Sequence, residues 1–61
     1  MNQAIAKMNM KFNNAKFNKD NIYNYNNLGT NDEYENVEVI DGENKKQTFS
    51  YGEFQTFFDK I

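Results

Sequence analysis

The absence of both cysteine and histidine restricts how a chain of 61 residues can be stabilised. A domain this small lies near the lower limit for a single hydrophobic core, and such domains usually add disulfides, a metal ion or a partner chain. Disulfides are excluded here, and so are the usual zinc sites of cysteine and histidine. We therefore expect one small domain, residues 1–61, that associates with a copy of itself or with another protein.

Residues 36–49 carry the pattern of a β-hairpin. Apolar and polar residues alternate along the first half of this segment, and a turn rich in glycine and asparagine follows. Asn44 tolerates the left-handed backbone conformation and can close a three-residue loop with a bulge. This loop pairs Val37 with Phe49 and places Val39 on the same face, whereas a two-residue turn would break up the apolar face.

Two signals around Ser50 predict the start of a helix over residues 50–61. Ser50 and Glu53 fit the capping box, in which each side chain bonds the backbone N–H of the other residue. Phe49 and Phe54 are spaced as a hydrophobic staple requires. The apolar side chains then recur at helical spacing in one stripe: Tyr51, Phe54, Phe57, Phe58 and Ile61. We expect this stripe to cover the apolar face of the hairpin.

The N-terminal half, residues 1–29, is basic and rich in asparagine, and its first part fits two patterns. Apolar residues between positions 5 and 15 recur at helical spacing, whereas those at positions 8, 10 and 12 alternate with polar residues as in a strand. Asparagine favours neither structure strongly. We predict a helix over residues 3–17 because the helical pattern is the longer of the two.

Residues 22–28 fit either a short helix that ends at Gly29 or a strand with two tyrosines on one face. The complete pattern predicts an α+β fold in one small domain. Its parts are N-terminal helical segments in residues 1–29, an acidic loop at 30–35, a β-hairpin at 36–49, and a C-terminal amphipathic helix at 50–61 packed on the hairpin.

The residues needed for common catalytic and metal sites are missing or have structural uses. Without histidine or cysteine, a nucleophile and its base cannot be assembled in the usual way, and Ser50 is explained by its helix cap. The carboxylates lie in a polar loop and on an exposed strand, without the spacing of a calcium-binding loop. The three glycines stand apart, which excludes a phosphate-binding loop. We expect a protein that is not an enzyme and that holds no metal ion or cofactor.

Charge falls into three blocks along the chain. Residues 1–19 carry +4 with no acid, residues 20–43 carry −7 with no base, and residues 44–61 carry +1, for a net charge of −2. Two interpretations remain open. Either the basic and acidic blocks pack against each other, within the chain or between two copies, or one of them docks on a charged partner.

The composition and the missing motifs favour a protein-binding role. Asparagine, lysine, phenylalanine, tyrosine and isoleucine have AT-rich codons and form more than half of the chain, as in a short accessory gene of a low-GC bacterium, its phage or a plasmid. The size and the lack of motifs resemble those of phage-encoded inhibitors of bacterial defence nucleases of the CRISPR type. We predict a non-catalytic module that blocks a larger host protein sterically. Its expected contacts are aromatic anchors and neighbouring lysines of the N-terminal half: Phe12, Phe17, Tyr23, Tyr25, Lys11 and Lys16.

Two other roles remain open. A small homo-oligomer would bring the basic and acidic blocks together across subunits. A single-stranded nucleic acid would stack on the same rings and pair its backbone charge with four lysines: Lys7, Lys11, Lys16 and Lys19. The net negative charge and the lack of arginine disfavour this role. No stretch approaches the roughly 20 apolar residues that span a bilayer, and no secretory signal is recognised. We expect a cytoplasmic protein of the producing or infected bacterial cell, without a membrane partner.

Overall fold

The computed structural model describes residues 2–29 and 36–61, and strands dominate both segments. The acidic loop predicted at 30–35 lies outside the described residues. In chain order the elements are β1 (Asn2–Ala6), β2 (Met10–Lys11), β3 (Lys16–Phe17), β4 (Ile22–Asn27), β5 (Asn36–Ile40), β6 (Lys46–Ser50), α1 (Tyr51–Phe57) and β7 (Phe58–Lys60). A bilayer needs about 20 apolar residues in a helix, and no helix in the described segments meets that requirement.

Five strands form one antiparallel sheet in the order β6–β5–β4–β1–β7, and β2 and β3 form a separate two-stranded ribbon. The predicted N-terminal helical segments are therefore wrong, because residues 2–6 and 22–27 are strands of the sheet. In β1, Ala4 and Ala6 are buried and the residues beside them are more exposed, which is the alternation of a strand with one buried face. The helical spacing further along includes Met8, which is exposed.

The C-terminal helix begins where the capping box predicts but ends earlier than expected. The Ser50 hydroxyl accepts a hydrogen bond from the Glu53 N–H, and the Glu53 carboxylate accepts one from the Ser50 N–H. At Phe58 the backbone becomes extended, with φ −134° and ψ 152°, and β7 begins. The predicted helix over 50–61 is too long because β7 pairs with β1, which would otherwise present unpaired backbone groups at the sheet edge.

The β5–β6 hairpin has the predicted register. Val37 pairs with Phe49, and Val39 pairs with Gln47. Asn44 adopts a φ of 64°, in the left-handed region that the three-residue loop requires. Both valines and Phe49 are buried, so the hairpin turns its predicted apolar face to the core.

The five-stranded sheet is strongly curved. In a flat sheet, β6 and β7 would lie about 19 Å apart, since four spacings of about 4.8 Å separate them. The helix that connects them directly has seven residues and rises only about 10 Å. The rings of Phe49 on β6 and Phe58 on β7 lie 5.5 Å apart between centroids. The two edge strands therefore converge, and the sheet curls around the core.

The core lies on the concave side of the curled sheet. Eleven apolar side chains of the described segments form it: Ala4, Ala6, Ala15, Phe17, Tyr23, Tyr25, Val37, Val39, Phe49, Phe54 and Phe58. Strand β1 contributes only alanines, and large rings occupy the space they leave. Ala4 lies opposite Tyr23, and Ala6 lies opposite Phe58. The convex side of the sheet faces away from this core.

Candidate docking surface

All four isoleucines of the chain lie outside the core. Ile5 and Ile40 are half-buried, whereas Ile22 is 56% exposed and Ile61 is 69% exposed. Strand alternation is the cause, because the alanines of β1, the tyrosines of β4 and the valines of β5 occupy the concave face. The residues between them must point outward, which places Ile5, Ile22 and Ile40 on the convex surface.

Three of these side chains form a continuous group, which we name the isoleucine patch: Ile5, Ile22 and Ile40. Ile5 on β1 pairs directly with Ile22 on β4. Ile40 on β5 pairs with Asn24, the next outward-facing residue of β4. The patch therefore crosses three adjacent strands of the sheet.

Charged residues at the margin of the patch are neutralised within the chain. Lys46 lies 3.9 Å from Glu38, and Lys7 lies 3.4 Å from Asp59. Lys7 also donates a hydrogen bond of 2.9 Å to the backbone oxygen of Gln55 near the end of α1, where the helix dipole favours a cation. These surface pairs contribute little stability. Positive and negative charges are therefore balanced around the apolar surface.

An open depression continues from the isoleucine patch toward the β2–β3 ribbon. Its lining includes Ile22, Ile40, the basic Lys16 and the acidic Asp20 and Glu43. The depression therefore brings two members of the patch and one lysine of the ribbon to a single opening.

A buried carboxylate fixes the ribbon to the β5–β6 turn. Asp41 is 7% exposed, and its oxygens accept hydrogen bonds from three backbone N–H groups. The donors are Lys16 at 3.0 Å, Glu43 at 2.9 Å and Lys45 at 2.8 Å. The bond from Lys16 crosses from the ribbon to the turn, whereas the other two lie within the turn. Asp41 thus sets the position of the ribbon relative to the sheet.

The pKa of the Asp41 carboxyl reflects two opposing effects. Burial raises this pKa, but the hydrogen bonds from Lys16, Lys45 and Glu43 and the charge of Lys45 lower it more, so it lies below its ordinary value of 3.8. The unfolded chain has no such bonds and titrates near the ordinary value. The carboxylate therefore stabilises the fold fully above that pH, and this contribution is lost as the pH falls through the lower, folded-state pKa.

The wild type should have a larger free energy of unfolding than Asp41→Asn. We expect this difference to be constant at neutral pH and to shrink below pH 3.8. The neutral side-chain amide of the variant has no proton to gain, so the difference isolates the titration of this one carboxyl. Urea unfolding of both proteins over a series of pH values measures it. A difference that stays constant down to the lowest pH would contradict the assignment.

The structure places the six residues predicted to bind a partner in two environments. Phe17, Tyr23 and Tyr25 belong to the core, and Phe12 is half-buried against it. Lys11 and Lys16 are exposed and lie directly opposite each other in the ribbon. Three of the four rings are therefore buried in the core, whereas Phe12 keeps an exposed part and the two lysines are accessible.

The isoleucine patch has a weak signal in the sequence. Alternation in β1 and β4 separates the isoleucines from the buried residues, but it is recognisable only when both segments are known to be strands. Comparisons of the chain with known protein families, with curated proteins and with solved structures found no match.

Proposed function

We propose that this protein is a non-catalytic binding module that docks on a larger protein through its isoleucine patch and blocks that protein sterically. The observation that carries the proposal is the position of Ile5 directly opposite Ile22 on the convex face, with Ile40 diagonal to Ile22 across the next strand. No described element covers this face. Burial of the exposed part of such a side chain contributes on the order of 1–2 kcal/mol to binding.

The arrangement around the patch supports a protein partner. Interfaces commonly combine an apolar centre with a polar margin, and hot spots lie at the centre where water is excluded. Here the centre is aliphatic, and the neighbouring positions carry Asn24, Glu38 and Lys46. This assignment replaces the aromatic anchors of the N-terminal half, because Phe17, Tyr23 and Tyr25 are buried in the core and Phe12 is half-buried against it.

The biological setting of the proposal is a mobile genetic element. A short chain with an asparagine- and lysine-rich composition is typical of accessory genes in AT-rich genomes. The blocked protein would then be a larger bacterial host protein, such as a defence nuclease of the CRISPR type, in the cytoplasm of the infected cell. A sterically acting inhibitor needs a stable surface and no active site of its own.

Ile22→Lys is expected to reduce partner affinity at least about tenfold, because a charge would enter the centre of the apolar patch. The free energy of unfolding should change by less than about 0.5 kcal/mol, since Ile22 is more than half exposed. The matched control is Asn26→Lys, which adds the same charge on the same face of β4 outside the patch. Affinity capture from bacterial lysate identifies proteins held by the wild type, and calorimetry with the purified partner then measures the affinities of all three proteins.

Equal loss of binding in both variants would contradict the proposal, because a general charge effect would then explain it. Capture that is identical for wild type and Ile22→Lys would also contradict it. Light scattering of the wild type at high concentration provides a further test. A dimer that Ile22→Lys dissociates would assign the patch to a second copy of this chain instead of a larger protein.

A further inference from the structure

Three lysines form an exposed cationic surface on and beside the β2–β3 ribbon, and we name them the ribbon lysines: Lys11, Lys16 and Lys19. Lys11 and Lys16 are direct cross-strand partners. Like charges in this position repel each other. The ribbon has only two pairs of residues, the fewest of any described strand pair. The repulsion therefore acts on an element that has few ladder hydrogen bonds. Local conflicts of this kind occur at functional or strained sites.

The described acidic residues do not neutralise this surface. Both oxygens of Asp41 accept backbone hydrogen bonds, and Glu43 pairs with Lys45 at 3.8 Å. Asp20 follows Lys19 in the chain and makes no ion pair with it in the structure. Within residues 2–29 and 36–61, none of the ribbon lysines has a carboxylate within ion-pair distance.

The backbone beneath the ribbon lysines is held firmly. The Lys16 N–H donates to Asp41, and the Lys19 N–H donates to the side-chain oxygen of Asn9 at 2.8 Å. Between them, the Asn18 N–H donates to the Tyr23 hydroxyl at 2.7 Å. Binding at this surface would therefore restrict only the lysine side chains and not the backbone, which lowers the entropic cost.

We propose that the ribbon lysines bind a carboxylate-rich segment of the partner protein. This proposal rests on the proposed function, because it takes the partner to be a protein. It adds that the partner presents carboxylates at this surface. Lys16 lies in the depression that also contains Ile22 and Ile40, so an acidic segment here would continue a contact made at the isoleucine patch. Charge complementarity at such a margin sets orientation and association rate.

Two observations favour a protein over a nucleic acid as the source of negative charge. Single-stranded nucleic acids bind where bases can stack on exposed rings, and Phe12 and Phe17 beside the lysines are half-buried and buried. The acidic Asp20 and Glu43 line the same depression as Lys16 and would repel a continuous phosphate backbone. A short acidic peptide segment, unlike a long phosphate backbone, can place its carboxylates on the lysines and clear of these two acidic residues.

Titration of the isotope-labelled protein with an oligoglutamate peptide tests the proposal without the natural partner. We expect amide shifts confined to residues 11–19 and their neighbours in the β5–β6 turn, with affinity that falls steeply between about 20 and about 200 mM salt. Because the whole protein carries a net charge of −2, it should bind a polyanion only where positive charge is local. The double variant Lys11→Gln, Lys16→Gln should lose at least about tenfold in affinity.

The control variant is Lys46→Gln, which removes the same charge from a lysine already paired with Glu38. It should bind the peptide as the wild type does. Shifts that are absent or spread over the whole protein would overturn the proposal. Tighter binding of an oligothymidylate of equal charge would replace it with nucleic-acid binding. Ile5→Ala changes the isoleucine patch outside this depression and adds no charge, so it should leave the titration unchanged. Failure of the isoleucine patch and failure of the ribbon lysines can therefore be told apart.

Discussion

Phe17→Ala is expected to lower the free energy of unfolding by about 3–5 kcal/mol, the largest effect of any single change proposed for this protein. The Phe17 side chain is fully buried, and it comes from the short ribbon rather than from the main sheet. Its ring lies 5.0–6.2 Å, between centroids, from four others: Phe12, Tyr23, Phe49 and Phe58. Removal leaves a cavity between the ribbon and the sheet that these large rings cannot fill.

A loss of this size is most of the stability that a domain of 61 residues has. Small domains have about 0.05–0.15 kcal/mol per residue, which gives about 3–9 kcal/mol here. Phe17→Ala should therefore have a urea midpoint far below that of the wild type, and its unfolded fraction should appear as collapsed amide dispersion by NMR. Lys16→Ala is the matched control, since the neighbouring side chain is exposed and its backbone bond to Asp41 is kept. A folded Phe17→Ala that has lost partner binding would instead support Phe17 as an anchor.

Asp41→Ala is expected to destabilise the protein by about 2–3 kcal/mol, because the change leaves the N–H groups of Lys16, Glu43 and Lys45 without their acceptor. Hydrogen bonds to a charged group are stronger than neutral ones, and Asp41 is almost fully buried. Chemical denaturation measures the loss. The variant should also release the ribbon, which would appear as faster amide exchange over residues 11–19.

Two comparisons make the Asp41 prediction specific. Asp41→Asn keeps one acceptor oxygen and should be destabilised less than Asp41→Ala. Glu43→Ala removes an exposed carboxylate from the same turn, which forms an ion pair with Lys45 at 3.8 Å. This change should lower the free energy of unfolding by less than about 0.5 kcal/mol. Equal effects of Asp41→Ala and Glu43→Ala would show that charge in the turn matters and the hydrogen bonds do not.

The parts of the fold that could be predicted from the sequence depend on residues close together in the chain. The capping box at Ser50 needs only Glu53, three positions away, and both of its bonds form. The hairpin register needs only the loop length set by Asn44 and the positions of the valines, and it is observed as predicted. In both cases the interacting residues lie close together in the chain, so their spacing alone predicts the conformation.

The candidate site could be predicted only in part. Lys11 and Lys16 are exposed, as partner-binding lysines must be, but the rings assigned with them are buried or half-buried. Composition alone does not separate an aromatic core from an aromatic interface, since both need large rings. The isoleucine patch was missed because its three members lie far apart in the chain and meet only through strand pairing.

The sequence by itself determined the hairpin, the helix start and the charge blocks, because each depends on spacing within a few residues. Only the tertiary structure decided that residues 2–6 and 22–27 are strands and that the last residues leave the helix as β7. Strand β1 acquires its backbone partners from β4 and β7, which lie many positions away. Burial of Ala4 and Ala6 against distant rings outweighs the weak local preferences of an asparagine-rich segment, and this long-range pairing also places the isoleucines on the convex face.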